Sequence, residues 1–96
     1  MKTQHFESVW DAISDTPEEA ENMKVRSSIM IAIQEHIART GMSQAKAAEL
    51  FSVTQPRVSD LIRGKISLFS IDTLINMAAA AKLQVTVKIS NASTAA

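Results

Sequence analysis

Apolar residues recur along this chain with two different periods, and the change from one to the other divides it. Val25, Ile29, Ile33 and Ile37 stand four apart with Met30 and Ala32 beside them, the spacing of one buried helix face. Asp15-Thr16-Pro17-Glu18-Glu19 opens that helix: Thr16 caps it, Pro17 suits its first turn, and the glutamates favour the positive end of its dipole. The helix is expected to run to Thr40, with a break allowed near Asn22, and to close on Gly41 in the left-handed cap position. Upstream, beyond a loose end at residues 1–5, Phe6, Val9, Trp10 and Ile13 predict a short amphipathic helix from Phe6 to Ile13.

Two shorter helices follow in the run from Gln44 to Gly64. Ser43 caps the first and Thr54 the second, with Pro56 in a first turn where a missing N–H costs little. Ala47, Ala48, Phe51, Val53, Val58 and Leu61 form the apolar set that lets helix Gln44–Phe51 pack across helix Gln55–Arg63. Ala48 supplies the small side chain that so close a crossing needs. Gly64 ends the second helix, and Ser70 caps another over Ile71–Lys82, with Leu74, Ile75, Met77 and Ala78 as its buried face.

The period then drops to two. Leu83-Gln84-Val85-Thr86-Val87-Lys88-Ile89 alternates apolar and polar, which predicts a half-buried strand. It is the only good strand in the chain, and a lone strand cannot satisfy its own ladder. Pairing with the same strand of a second subunit is the favoured solution; pairing with the N-terminal segment is the other. Residues 90–96 form a disordered tail.

At 96 residues there is room for one domain with a modest core, helped by self-association. The net charge of zero on its own argues against a nucleic-acid partner, but the distribution reverses that reading. Residues 1–21 hold one lysine against six carboxylates, a balance of −5, and residues 22–96 hold nine Lys and Arg against four carboxylates, a balance of +5. An acidic arm therefore masks a basic body, as expected of a nucleic-acid surface joined to a separately charged segment. Plain solvation of the N-terminus by those carboxylates is the alternative.

Several chemistries are set aside. With no cysteine there is no disulfide, thiol catalysis or cysteine-bound zinc. His5 and His36 have no further ligand at a metal-site spacing, and no serine has a recognisable base, so neither a metal, a cofactor nor an enzyme is expected. The N-terminus has no continuous apolar stretch of the secretory kind and no apolar run approaches membrane-spanning length, which makes the expected location cytoplasmic.

The helix pair at 44–64 carries the candidate chemistry, a helix-turn-helix whose second helix leaves one face free. That face holds Gln55, Pro56, Arg57, Ser59 and Asp60. A glutamine pairs bidentately with adenine and an arginine with guanine, so Gln55 and Arg57 are the candidates for direct base readout. Pro56 starts the helix and is placed to touch a thymine methyl, while Ser59 lies a turn further on. Asp60 either accepts from cytosine N4 or braces Arg57 and Arg63, three residues to either side; bracing is favoured, since an unpaired carboxylate is repelled by phosphates. Lys46, Arg63 and Lys65 flank this helix and, with the Thr54 hydroxyl, are the expected phosphate contacts. Gln44 joins them, at a helix N-terminus where backbone N–H groups favour a phosphate.

The stretch 44–64 resembles the helix-turn-helix of the lambda-repressor/Cro-like (XRE) regulators. Gln44 opens the first helix, Ala48 occupies the small-residue site, and Val53, Val58 and Leu61 fall on the three apolar positions. VTQPRVSDLIRGK at 53–65, LFSIDTLINMAAAAKLQVTVKI after it, and SVWDAI with PEEAENMKVRSSIMIAI near the start are similar to the HigA-type antitoxin branch. The resemblance implies an all-α, compact five-helix lambda-repressor-like DNA-binding domain with a short C-terminal β-strand. It implies a homodimer on a double-stranded DNA operator, repression of its own promoter, and neutralisation of a small RNase toxin. By resemblance the Gln44 side chain contacts the DNA backbone and braces Gln55. One position departs: Ser52 stands where this family usually has glycine, at about 1 kcal/mol for a left-handed residue with a side chain.

The expected organisation is an acidic arm at 1–21, a helix-turn-helix domain at 22–83, a strand at 84–89 as the dimer contact, and a tail at 90–96. Within the arm, Phe6, Val9 and Trp10 either pack on the domain or anchor a partner protein, and the surrounding carboxylates suit a cationic toxin surface.

Overall fold

Thr16 accepts from the Glu19 backbone N–H at 3.0 Å, and the chain enters its longest helix there. The computed structural model describes residues 16–91. Helix α1 spans Pro17–Thr40, α2 spans Gln44–Phe51, α3 spans Gln55–Ile62, a 3-10 turn covers Ile66–Leu68, and α4 spans Ile71–Ala80. The fold is all-α, with these four helices and the 3-10 turn among the described residues. The further helix expected at Phe6–Ile13 lies outside them.

All four N-caps are the hydroxyls read from the sequence. Thr16, Ser43, Thr54 and Ser70 each accept from the backbone N–H three residues on. Gly41 closes α1 at φ 71°, its N–H donating to the Ile37 carbonyl at 3.0 Å. The break allowed near Asn22 does not occur. Asn22 Oδ1 accepts from Arg26 Nε at 2.6 Å, one turn along the outside of a continuous helix.

Ile29, Met30, Ile33 and Ile37 of α1 meet Ala47, Ala48 and Phe51 of α2, Val58 and Leu61 of α3, and Leu74, Met77 and Ala78 of α4. Phe69, on the short link before α4, is fully buried in this core. The expected stripe on α1 is shorter than the spacing suggested, since Val25 is 39% exposed where Ile33 is fully covered. Ser27 is the one buried polar residue among the described residues, and its hydroxyl has no hydrogen-bond partner.

Helix α4 stops at Ala80, two residues before the expected Lys82, because Lys82 itself turns left-handed at φ 62°. Its N–H donates to the Ala79 carbonyl and the Leu83 N–H to the Ala78 carbonyl, the paired bonds of a Schellman ending. The strand expected at 84–89 is absent from the described residues. The described residues offer this segment no second strand, so among them it has no ladder to join.

Candidate nucleic-acid interface

The α2–α3 crossing fixes the geometry of this face. Ala47, Val58 and Leu61 are fully covered and Ala48 nearly so, which lets two eight-residue helices meet closely. Between them Ser52 is left-handed at φ 57°, ψ 45°, its N–H shared between the Ala48 and Glu49 carbonyls. Val53 N–H reaches the Ala48 carbonyl at 3.0 Å, so the turn closes as at Lys82, with a serine where glycine would carry less strain. Thr54 then caps α3 by accepting from Arg57 N–H at 3.4 Å, and Pro56 sits in the first turn.

Gln55 and Pro56 are exposed at the start of α3, while Ser59 and Asp60 are half-buried further along. Gln44 is exposed at the start of α2, and no hydrogen bond joins it to Gln55 among the described residues. Neither side-chain amide has a hydrogen-bond partner among the described residues. Lys46 lies 3.8 Å from Glu49 with both side chains mostly in solvent, a pair that water and salt largely screen. Arg63, exposed at the end of α3, has no side-chain partner among the described residues.

Arg57 is placed differently from a simple reading side chain. It is half-buried, its Nη1 donates to the Leu68 carbonyl at 2.9 Å, and its guanidinium lies over the Phe69 ring. Asp60 takes the bracing geometry, but toward Lys65, 3.5 Å away, and not toward Arg57 or Arg63. That ion pair clips the loop after α3 to the body of the helix, alongside the Lys65 N–H bond to the Asp60 carbonyl at 3.0 Å. Phe6, Val9 and Trp10 lie outside the described residues.

Two positioning residues carried no sequence signal. Gln34 Nε2 on α1 donates to the Leu61 carbonyl at 2.8 Å and reaches the Ile62 carbonyl at 3.5 Å, capping the C-terminal end of α3. Arg26 Nη1 donates to the Phe69 carbonyl at 3.3 Å. Neither partnership follows from local spacing, because the partners stand 27 and 43 residues away.

A family described as a helix-turn-helix domain matches residues 12–90. The chain belongs to that family. The match runs beyond α4 through the whole of the alternating segment. A solved structure described as belonging to the XRE family of transcriptional regulators is similar to this helix-turn-helix protein at 30% identity and a TM-score of 0.69. The match covers 75% of this chain and 81% of that one. No curated protein matches the chain. This is therefore a helix-turn-helix DNA-binding domain of the XRE regulator type, a family of transcriptional regulators and not of enzymes. No helix among the described residues is long and apolar enough to cross a membrane.

Proposed function

We propose that this helix-turn-helix protein is a sequence-specific repressor, dimeric on an inverted-repeat operator, and the HigA-type antitoxin of an operon whose promoter it represses. The observation that carries the DNA reading is the free amide of Gln55 at the exposed start of α3, beside the equally free Gln44 at the start of α2. An unengaged amide at a recognition-helix N-terminus is placed to pair with a base edge in the major groove. Pro56 and Ser59 complete the readout face, and Arg57 joins it by leaving Leu68. Lys46, Thr54, Arg63 and Lys65 hold the backbone around it. Gln44 adds a backbone contact and turns toward Gln55 once DNA is bound.

A second role follows from the charge division. Six carboxylates in residues 1–21, with Phe6, Val9 and Trp10 among them, suit an arm that covers the cationic active site of an RNase toxin in the cytoplasm. The toxin and the operator then occupy different parts of one chain.

Titration of a fluorescent fragment of the protein's own promoter, across salt concentrations, tests the DNA reading. Tight binding that falls steeply with salt, and is lost in Gln44→Ala/Gln55→Ala, is the expected result, because released counterions report the phosphate contacts. Equal affinity for an unrelated fragment would overturn sequence-specific repression.

A further inference from the structure

The segment after α4 becomes barer with every second residue. Leu83 is half-buried against the core, Val85 is 36% exposed, Val87 69% and Ile89 90%. At period two these four side chains share one face, and Gln84, Thr86 and Lys88 share the other. A shallow groove between α1 and α4 runs beside Leu83, Gln84 and Val85, walled by Ser28, Ile29, Ala32 and Ala78, and no residue of α2 or α3 lines it. Among the described residues this segment's backbone has no partner strand, and its apolar face is covered only over its first half.

We propose that two copies join through this segment as an antiparallel ribbon whose two-fold axis passes through Thr86, deepening the dimeric reading given above. In a two-fold pair of identical strands each residue faces its mirror position across the axis. With Thr86 on the axis, Val85 faces the partner's Val87, Leu83 faces the partner's Ile89, and Gln84 faces the partner's Lys88. Every apolar residue meets an apolar one, Thr86 meets its own copy, and the two lysines stay apart. Threonine pairs are among the favourable cross-strand pairs, and like charges directly opposite are not.

The neighbouring registers fail on the same residues. An axis at Val87 sets Leu83 against Asn91, and an axis at Val85 sets Ile89 against Ala81, which is buried at the end of α4. A slip of one residue puts apolar faces against polar ones. In the Thr86 register, Val87 and Ile89 are carried onto the partner's Val85 and Leu83, beside the partner's groove. The bare half of each segment is covered by the half that its own domain already holds.

Sedimentation of the full chain without DNA tests the interface, and its outcome is independent of any operator. The wild type is expected to sediment as a dimer and Val87→Asp as a monomer with unchanged helical circular dichroism. Because the chain has no cysteine, Thr86→Cys under mild oxidation is expected to give a covalent dimer. Lys88→Cys is not, since its copies stand about 13 Å apart along the ribbon. A wild type that is monomeric at all concentrations overturns the proposal. So does a Val87→Asp chain that remains a dimer, or a Lys88→Cys chain that cross-links more readily than Thr86→Cys. A monomer in which Val87→Asp red-shifts the emission of Trp10, the only tryptophan, would place the N-terminal segment on this face instead. Specific promoter binding by a monomeric chain would separate failure of this interface from failure of the DNA reading.

Discussion

The guanidinium of Arg57 lies 4.2 Å from the centroid of the Phe69 ring, and Nη1 of the same group donates to the carbonyl just before that ring. Arg57 therefore holds the recognition helix to the link that leads into α4, whatever it does on DNA. Phe69 is fully buried, so the arginine forms part of its cover.

Arg57→Ala is expected to lower stability by about 1–2 kcal/mol, from the lost ring contact and a hydrogen bond to a charged donor. Arg57→Lys keeps the charge but loses the planar stack, and should recover only part of it. Urea unfolding of the three proteins checks this. Wild-type stability in Arg57→Ala would mean the contact adds nothing to the fold and the residue serves DNA alone.

The contrast between the caps and Arg57 shows what sequence reading reaches. Thr16, Ser43, Thr54 and Ser70 were legible because a cap is a contact between residues three apart. Gly41 was legible for the same local reason, and the apolar positions of the helix pair placed α2 and α3 within a residue of their observed ends. Arg57, Gln34 and Arg26 were not, because a polar residue on a helix reads alike whether its partner is water or a distant carbonyl. Lys82 was hidden differently: nothing in its side chain announces a left-handed backbone. The alternating segment carries strand patterning but meets no partner strand among the described residues.

Ser52 and Lys82 occupy left-handed positions without being glycine, at φ 57° and 62°. Ser52→Gly and Lys82→Gly are each expected to raise stability by about 0.5–1 kcal/mol, the relief of backbone strain reduced by the greater freedom of glycine in the unfolded chain. Gly64→Ala, at φ 77° with its nearest neighbour 3.8 Å from an added Cβ, should lose about 1 kcal/mol from backbone strain alone. Thermal unfolding in parallel checks the signs, and a destabilised Lys82→Gly would show that its side chain outweighs its backbone.

Ser27 buries a hydroxyl with no partner, a desolvation cost offset by nothing nearby. Ser27→Ala removes that oxygen, adds helix propensity, and leaves no large void. A gain of about 1 kcal/mol is expected by urea unfolding. No change or a loss would contradict an unsatisfied hydroxyl at that position.

Gln34 caps α3 from outside, through the two carbonyls at its C-terminal end. Gln34→Ala should cost about 1 kcal/mol, and hydrogen exchange should show faster opening of α3 than of α4. Uniform acceleration across the domain would instead assign Gln34 a general packing role.

Every described α-helix begins at a hydroxyl, and among the described residues the core encloses no carboxylate, amine or imidazole. Hydroxyls neither gain nor lose a proton in the range that cells or assays visit. The capping contacts are therefore set by hydrogen-bond geometry and not by the charge on a side chain, while the charged groups lie outside the core. Recognition and capping draw on different side chains in such a molecule, so the charges that meet another molecule can be altered by substitution while the capping hydroxyls stay in place.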